Sequence, residues 1–236
     1  MGSSLGINLL PTKGKICNFD CIYCECGWNR DGREDTVLPD RETVYRALEA
    51  KLSECRSKGT AIDSITFSGD GEPTLNPDFP GIVRDTIALR DRFFPGAVIS
   101  VLSNATTAGK PEVFEALRLV DNPILKLDAP TDALAGKINN PQGKYHVSDV
   151  VEWLSRFEGN FVLQTMFLSA PGFDSSSPEV LGPWMDIVRR LRPREVMVYT
   201  LDRPAPAEGL VKFTADRMRS LVQPLIDEGF KIQIKA

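Results

Sequence analysis

Four of the five cysteines in this 236-residue chain fall within ten positions, in "KICNFDCIYCECG" at 15–27. Thiolates are ligands for soft metals, and the spacing offers two overlapping triplets. Cys17, Cys21 and Cys24 read C-x-x-x-C-x-x-C, whereas Cys21, Cys24 and Cys26 read C-x-x-C-x-C. A structural zinc needs four ligands, so it would need Cys26 as well, and zinc sites usually draw ligands from two separated pieces of chain rather than one loop. Thiolates also hold [4Fe–4S] clusters. With Cys17, Cys21 and Cys24 as ligands, one iron would lack a thiolate and stay open to a substrate or cofactor. Spacing alone leaves the cluster, zinc and inert thiols as alternatives.

Other candidates for chemistry sit at the ends of short apolar runs: "FSGDGEPTLNP" at 67–77, "LSNATT" at 102–107, "LKLDAP" at 125–130, "QTMF" at 164–167 and "YTLDRP" at 199–204. Glu72 and Asn104 have a second reading as turn and cap residues. Lys126 and Asp128 have one as a buried ion pair serving only the fold. Tyr199, Asp202 and Arg203 stand where a substrate could be met. Trp28 is expected to pack over the cysteine loop. Cys55 fits a small core residue on a helix, and His146 a solvent-facing loop residue.

The elements that must position these residues alternate. Strand-like runs cover Leu5–Leu10, Ser64–Ser68, Val98–Ser103, Pro123–Leu127, Phe161–Phe167 and Glu195–Thr200. They are apolar and partly β-branched, as buried parallel strands are. Helical stretches lie between them. "DRETVYRALEAKLSECRSKG" has Asp40 as N-cap and Gly59 at C′. "PGIVRDTIALRDRFF" carries an apolar stripe of Ile82, Val83, Ile87, Leu89 and Phe93, interrupted by Arg90. "PEVFEALRLV" opens with Pro111 at N1. "HVSDVVEWLSRF", "SPEVLGPWMDIVRRLR" and "TADRMRSLVQPLIDEG" complete the series, with Pro183 expected near a first turn and Pro224 at a kink. Six βα units and a last strand, "KIQIK", predict an α/β fold: a partial (β/α)6 TIM-like barrel, with a flavodoxin-like open sheet as alternative. No Gly- or Ser-rich linker divides the chain, so a single domain over 1–236 is expected. In either architecture a ligand site belongs at the carboxyl ends of the strands, where the polar residues above cluster.

Composition narrows the function. With 42% apolar and 25% charged residues the chain can bury a substantial core. No window approaches the roughly 18 uninterrupted apolar residues of a membrane helix, and the first residues lack the pattern of a signal peptide. A reducing, cytoplasmic setting is expected, which favours metal binding over disulfides. A net charge of −4 argues against broad nucleic-acid coating. The one dense basic run, "RRLRPR" at 189–194, reads first as a solvated helix end. His146 is the only histidine, and imidazole is the usual agent of proton transfer near neutrality. There is no P-loop. Any hard chemistry is therefore expected from a cofactor.

The whole chain resembles the radical S-adenosylmethionine (radical SAM) superfamily. "CNFDCIYC" is similar to its C-x-x-x-C-x-Φ-C signature, and "GDGEP" at 69–73 is similar to its G-G-E-P segment, with Asp70 in place of the first of those glycines. "SN" at 103–104 and "KLD" at 126–128 resemble its third- and fourth-strand ends. The resemblance implies a radical SAM core with Cys17, Cys21 and Cys24 on a [4Fe–4S] cluster. It also implies an S-adenosyl-L-methionine site of Tyr23 (over the adenine), Gly71, Glu72, Pro73, Ser103, Asn104, Lys126 and Asp128. Reductive cleavage of S-adenosylmethionine would then start radical chemistry on a small-molecule or nucleoside/tRNA substrate, with flavodoxin or ferredoxin as electron donor and the chain as a monomer. "SLGINLLP", "FSGDGEPTLNPDF", "QTMF" and "YTLDRP" most resemble the wyosine-synthetase-like group. The reaction implied there builds a tricyclic base on guanosine of phenylalanine tRNA. The alternative is an activase that places a glycyl radical on a partner protein.

Cys26 separates the readings of the thiols. A cubane held by four thiolates is coordinatively closed, so an open iron requires that Cys26 not be a ligand. Reconstituted without oxygen, the protein is expected to hold about four irons and four sulfides per chain. Cys17→Ala, Cys21→Ala and Cys24→Ala are expected to abolish reductive cleavage of S-adenosylmethionine to 5′-deoxyadenosine and methionine, and Cys26→Ala to leave most of that cleavage in place. Loss of the cluster in Cys26→Ala would restore the four-thiolate reading.

Overall fold

Strands and helices alternate in the computed structural model as the apolar periodicity requires; residues 2–31 and 35–236 are described. By contact density the chain falls into two compact units, Met1–Cys17 with Asn29–Ser103 and Thr107–Pro123, and Asn18–Trp28 with Asn104–Thr106 and Ile124–Ala236.

The N-terminal unit holds β1 (Ser4–Ile7), α1 (Arg41–Ser57), β2 (Ser64–Phe67), a single 3-10 turn at Pro73–Leu75, α2 (Phe79–Phe93), β3 (Val98–Ser103) and α3 (Pro111–Leu119). Its strands are parallel in the order β1-β2-β3, with Leu5 opposite Ile65 and Ile65 opposite Ile99. Asp40 caps α1 by accepting the Thr43 N–H at 2.7 Å, and Gly59 follows the helix at φ +67. Pro111 occupies the first turn of α3. In α2, Ile82, Val83 and Leu89 are buried, and Thr86 joins them by returning its hydroxyl to the Ile82 carbonyl at 2.8 Å. Arg90 does not break that stripe, because its guanidinium turns aside to the Ala97 carbonyl at 2.7 Å and Asp121 at 3.0 Å. Cys55 is buried on α1.

The C-terminal unit takes up β4 (Asn122–Lys126) from Ile124 onward. It continues with α4 (Asp132–Ile138), α5 (Val147–Ser155), β5 (Val162–Met166), β6 (Leu168–Ala170), β7 (Phe173–Asp174), α6 (Pro178–Leu191), β8 (Glu195–Tyr199), β9 (Val211–Lys212), α7 (Ala215–Asp227) and β10 (Ile232–Lys235). Strands β4, β5, β8 and β10 pair in that order, all parallel, with Lys126 opposite Gln164 and Met166 opposite Tyr199. A small antiparallel sheet, β7-β6-β9, was not foreseen; its strands are too short to show a period. Neither was α4, only seven residues long.

Proline placement in α6 corrects the sequence reading. Pro178 holds the first-turn position and Pro183 lies inside the helix, because Ser177 caps it and Pro183 falls more than a turn beyond that start. "RRLRPR" ends that helix. Arg189 is paired with Glu228 at 2.7 Å and Asp186 at 2.9 Å, and Arg192 adopts a left-handed cap at φ +46.

Trp184 on α6 is the largest fully buried side chain of this unit, 1% exposed. It meets Phe167 edge-on at 5.3 Å, and its indole N–H reaches the Thr165 hydroxyl at 3.1 Å. Trp184→Ala therefore removes a large apolar volume and one of the Thr165 hydroxyl's two hydrogen bonds, the other being its donation to the Leu127 carbonyl at 2.8 Å. A loss of about 3–5 kcal/mol in urea unfolding is expected, whereas a loss below about 1 kcal/mol would mean that the site collapses around the cavity.

Candidate functional site

The carboxyl ends of β2 and β3 build one polar cluster inside the N-terminal unit. After β2 the chain turns at Gly71, φ +137, a conformation that favours glycine. A Cβ there would stand 2.0 Å from the Ile16 carbonyl oxygen. That close approach lets the Ile16 N–H reach Asp70 O at 3.1 Å and the Glu72 N–H reach Ile16 O at 3.0 Å. The residue preceding Cys17 is thus pinned to the residue preceding Glu72. Asp70, the departure from the double glycine, accepts a hydrogen bond from the Asn8 amide at 2.9 Å, just past β1. Glu72 is 2% exposed. Its Oε1 accepts from Thr74 N at 3.1 Å, Thr74 Oγ1 at 2.5 Å and Ser103 Oγ at 2.8 Å. Thr74 Oγ1 also lies 2.5 Å from Thr107 Oγ1. Pro73 opens the 3-10 turn and is buried. Glu72 is thus a cap, as one reading has it, and also a carboxylate held in place by hydroxyls.

In the C-terminal unit a second cluster forms around the cysteine loop. Residues 138–142, where α4 ends, run beside it: Asp20 N donates to Asn139 O at 2.9 Å, Ile22 N to Ile138 O at 3.1 Å and Gln142 N to Asn18 O at 2.8 Å. The loop turns at Cys21–Cys24 and again at Cys24–Gly27, each closed by a backbone bond of 3.1 and 3.0 Å. Gly27 has φ +76. Asn104 donates to Asn18 Oδ1 at 2.7 Å and accepts from Thr106 N at 3.1 Å. Between them Ala105 is left-handed at φ +63, a strained state for a residue with a Cβ.

Beneath the loop lie the ends of β4, β5 and β8. Lys126 Nζ donates to the Tyr23 hydroxyl at 2.9 Å and to the Tyr199 hydroxyl at 3.2 Å. The Tyr23 hydroxyl donates in turn to Asp128. Asp128, 2% exposed, also accepts from Asn139 Nδ2 at 2.6 Å and Met166 N at 2.8 Å. Lys126 and Asp128 are therefore linked through Tyr23 and not as a simple ion pair. Burial pushes both phenols up, Tyr23 well above its ordinary value and Tyr199 to about 12, so both hold their protons at neutrality. Burial works against the Lys126 ammonium, but the surrounding Tyr199 and Asp128 oxygens outweigh it and hold its pKa well above the ordinary lysine value.

All five cysteines are thiols; Cys21 is buried, Cys17 and Cys24 are half-buried and Cys26 is exposed. Burial raises the Cys21 pKa, and the Lys126 charge acts against that rise. Among the described residues no three His, Cys, Asp or Glu side chains are grouped as for a single metal ion. A cubane spreads its ligands more widely than one ion does. The donor set of Cys17, Cys21 and Cys24 fits such a cluster in chemistry: reduced thiols, with a cation beside one of them to favour its thiolate.

A cavity of about 660 Å³ opens at the ends of β5, β8 and β10, lined among others by Gln164, Met197, Tyr199 and Asp202. Arg203 is instead engaged by Glu25 at 3.2 Å. Trp28 is half-buried. His146 is exposed and paired with Asp132 at 2.7 Å, away from the Lys126–Asp128 network. Sequence reasoning missed Asn139, Thr74 and Asn18. Asn139 and Asn18 meet partners far along the chain, which no local signal marks.

Comparison with known proteins places this arrangement. The Radical SAM superfamily profile matches residues 12–168, and the chain belongs to that superfamily. It is 27% identical over 208 residues to a "UPF0026 protein" of Helicobacter pylori, covering 86% of this chain and 64% of that protein. The chain thus spans a little under two thirds of that relative's length. A radical SAM methyltransferase from Sphaerobacter thermophilus superposes with a TM-score of 0.72 at 16% identity, over 98% of this chain and 65% of that one. TYW1 with a lysine–pyruvate adduct bound gives 0.66 at 15% identity, over 95% and 74%. The fold class is the α/β, partial TIM-like barrel of radical SAM proteins.

Gly71 provides a direct test of how Ile16 and Glu72 are held. Gly71→Ala forces a Cβ against a backbone oxygen, which cannot move aside like the end of a side chain. Hydrogen exchange is expected to show lost protection at the Ile16 and Glu72 amides. Gly143→Ala, at φ +117 with nothing within 4 Å, should cost only the about 1–3 kcal/mol of backbone strain and leave those amides protected. Equal effects from the two changes would refute the steric account.

Proposed function

We propose that this protein is a radical SAM enzyme in which Cys17, Cys21 and Cys24 hold a [4Fe–4S] cluster. Tyr23, Gly71, Glu72, Pro73, Ser103, Asn104, Lys126 and Asp128 serve S-adenosylmethionine. The observation that carries this reading is the superfamily match over 12–168, which contains all eleven residues. When bound, the cluster would supply the electron for reductive cleavage of S-adenosylmethionine, from which radical chemistry on the substrate would start.

The chain's own residues do the rest. Glu72 accepts hydrogen bonds from the methionine ammonium, its carboxylate aimed in advance by Thr74 and Ser103. Gly71 and Pro73 keep the turn before and after it in one conformation. Tyr23 presents an aromatic face to the adenine while its hydroxyl is fixed by Asp128 and Lys126. Asn104, fixed by Asn18 and Thr106, offers amide hydrogen bonds toward the ribose and carboxylate.

The substrate is a small molecule or a nucleoside, free or within tRNA. The cavity beside Tyr199 and Asp202 presents amide, phenol and carboxylate groups to polar edges and Met197 to an apolar face. The resemblance of "SLGINLLP" and "YTLDRP" to the wyosine-synthetase-like group supports the nucleoside side of this reading. A flavodoxin or ferredoxin supplies the electron, and the protein works as a monomer in the cytoplasm. Among the described residues no helix is long and apolar enough to cross a membrane.

Glu72 is the sharpest point of attack. Removing a charged hydrogen-bond partner costs about 1.5–3 kcal/mol, so Glu72→Ala is expected to weaken S-adenosylmethionine binding roughly ten- to a hundredfold. Anaerobic equilibrium dialysis reads the affinity, and iron content should stay at the wild-type level. Unaltered affinity would remove Glu72 from the site.

A further inference from the structure

Asn139 lies outside every motif considered so far. It is 2% exposed, and its Nδ2 stands 2.6 Å from Asp128 Oδ2, 3.3 Å from the Tyr23 hydroxyl and 3.4 Å from Cys21 Sγ. An amide nitrogen carries two hydrogens. The short contact to the carboxylate claims one. The other points into the space shared by the Cys21 sulfur and the Tyr23 oxygen. Tyr23 already receives a donor from Lys126 and gives its own proton to Asp128, so the sulfur is the partner that this second hydrogen best serves.

The backbone makes this approach rigid. Asn139 O accepts from Asp20 N at 2.9 Å, and Ile138 O accepts from Ile22 N at 3.1 Å. The two residues flanking Cys21 are thus bonded to Asn139 and its predecessor. Asn139 meets Cys21 with its side chain and holds Asp20 with its main chain, while Ile138 holds Ile22.

We infer that Asn139 is a positioning residue whose amide donates an N–H···S hydrogen bond to Cys21 Sγ and so sets the reduction potential of the cluster. The inference rests on the reading of Cys17, Cys21 and Cys24 as cluster ligands. Hydrogen bonds to ligating sulfurs are among the levers that set cluster potentials. Adding an electron raises the negative charge on the sulfurs, so a donor stabilises the reduced form more than the oxidised one. A residue kept only to satisfy Asp128 would show no magnetic coupling between its side-chain nitrogen and the cluster.

The test compares wild-type protein with Asn139→Leu, both reconstituted without oxygen and titrated by EPR-monitored redox potentiometry in the absence of S-adenosylmethionine. The variant is expected to load the same iron and sulfide as wild type. Its potential is expected to be more negative by about tenfold in the reduction equilibrium, which is ~59 mV for a one-electron couple. An unchanged potential at full loading overturns the inference and leaves the cluster assignment intact. Wild-type protein that takes up no cluster overturns the assignment and the inference with it. A variant that fails to load shifts the decision to wild type labelled with 15N at the asparagine side chains. There, the reduced cluster is expected to show a hyperfine coupling to 15N that disappears in Asn139→Asp, which keeps the shape without the donor. Absence of that coupling in wild type overturns the inference equally.

Discussion

A single buried carboxylate organises the polar cluster of the C-terminal unit. Asp128 receives the Tyr23 hydroxyl, the Asn139 amide and the Met166 backbone N–H. Those donors come from the cysteine loop, from the segment after α4 and from the end of β5. A carboxylate removed from water is tolerable only when its lone pairs are filled, so the fold must deliver all three donors. Each delivery fixes a different piece of chain. Removing any one leaves a buried charge short of a partner, a larger penalty than the hydrogen bond itself contributes.

Lys126 extends the constraint. It bonds both Tyr23 and Tyr199, whose protons burial holds in place. The chain from ammonium through phenol to carboxylate runs in one sense, each donor feeding the next acceptor, an arrangement that strengthens its members. It also places a cation near Cys21 without spending the lysine on an ion pair. The same side chains that immobilise Tyr23 thereby set the charge around one of the proposed ligands. Positioning and electrostatics are one arrangement here.

The N-terminal unit solves a parallel problem with different groups. Glu72 is buried like Asp128, and hydroxyls of Thr74 and Ser103 and a backbone amide donate to it. Asp70 shows how a departure from the family segment is absorbed: its side chain turns to Asn8, while Gly71 keeps the close approach to Ile16 that the turn requires.

Much of this was legible in the sequence. Strand and helix alternation, the Asp40 cap, Pro111 at its first turn and the buried Cys55 follow from local periodicity and from residues with fixed conformational habits. The cysteine spacing and the polar strand ends marked the residues worth attention, because those signals are contiguous in the chain. Local signals failed where neighbours in space decide. Pro183 falls inside α6 because Ser177 and Pro178 begin the helix first, Arg90 sits within an apolar stripe because Asp121 waits for it, and α4 is too short to show a period. Tertiary structure alone decided that Lys126 and Asp128 meet through Tyr23, and that Asn139, more than a hundred residues after Cys21, lies against its sulfur. Hydrogen-bond partners at that separation leave no trace in composition or period, since only the folded chain brings their donors and acceptors within reach.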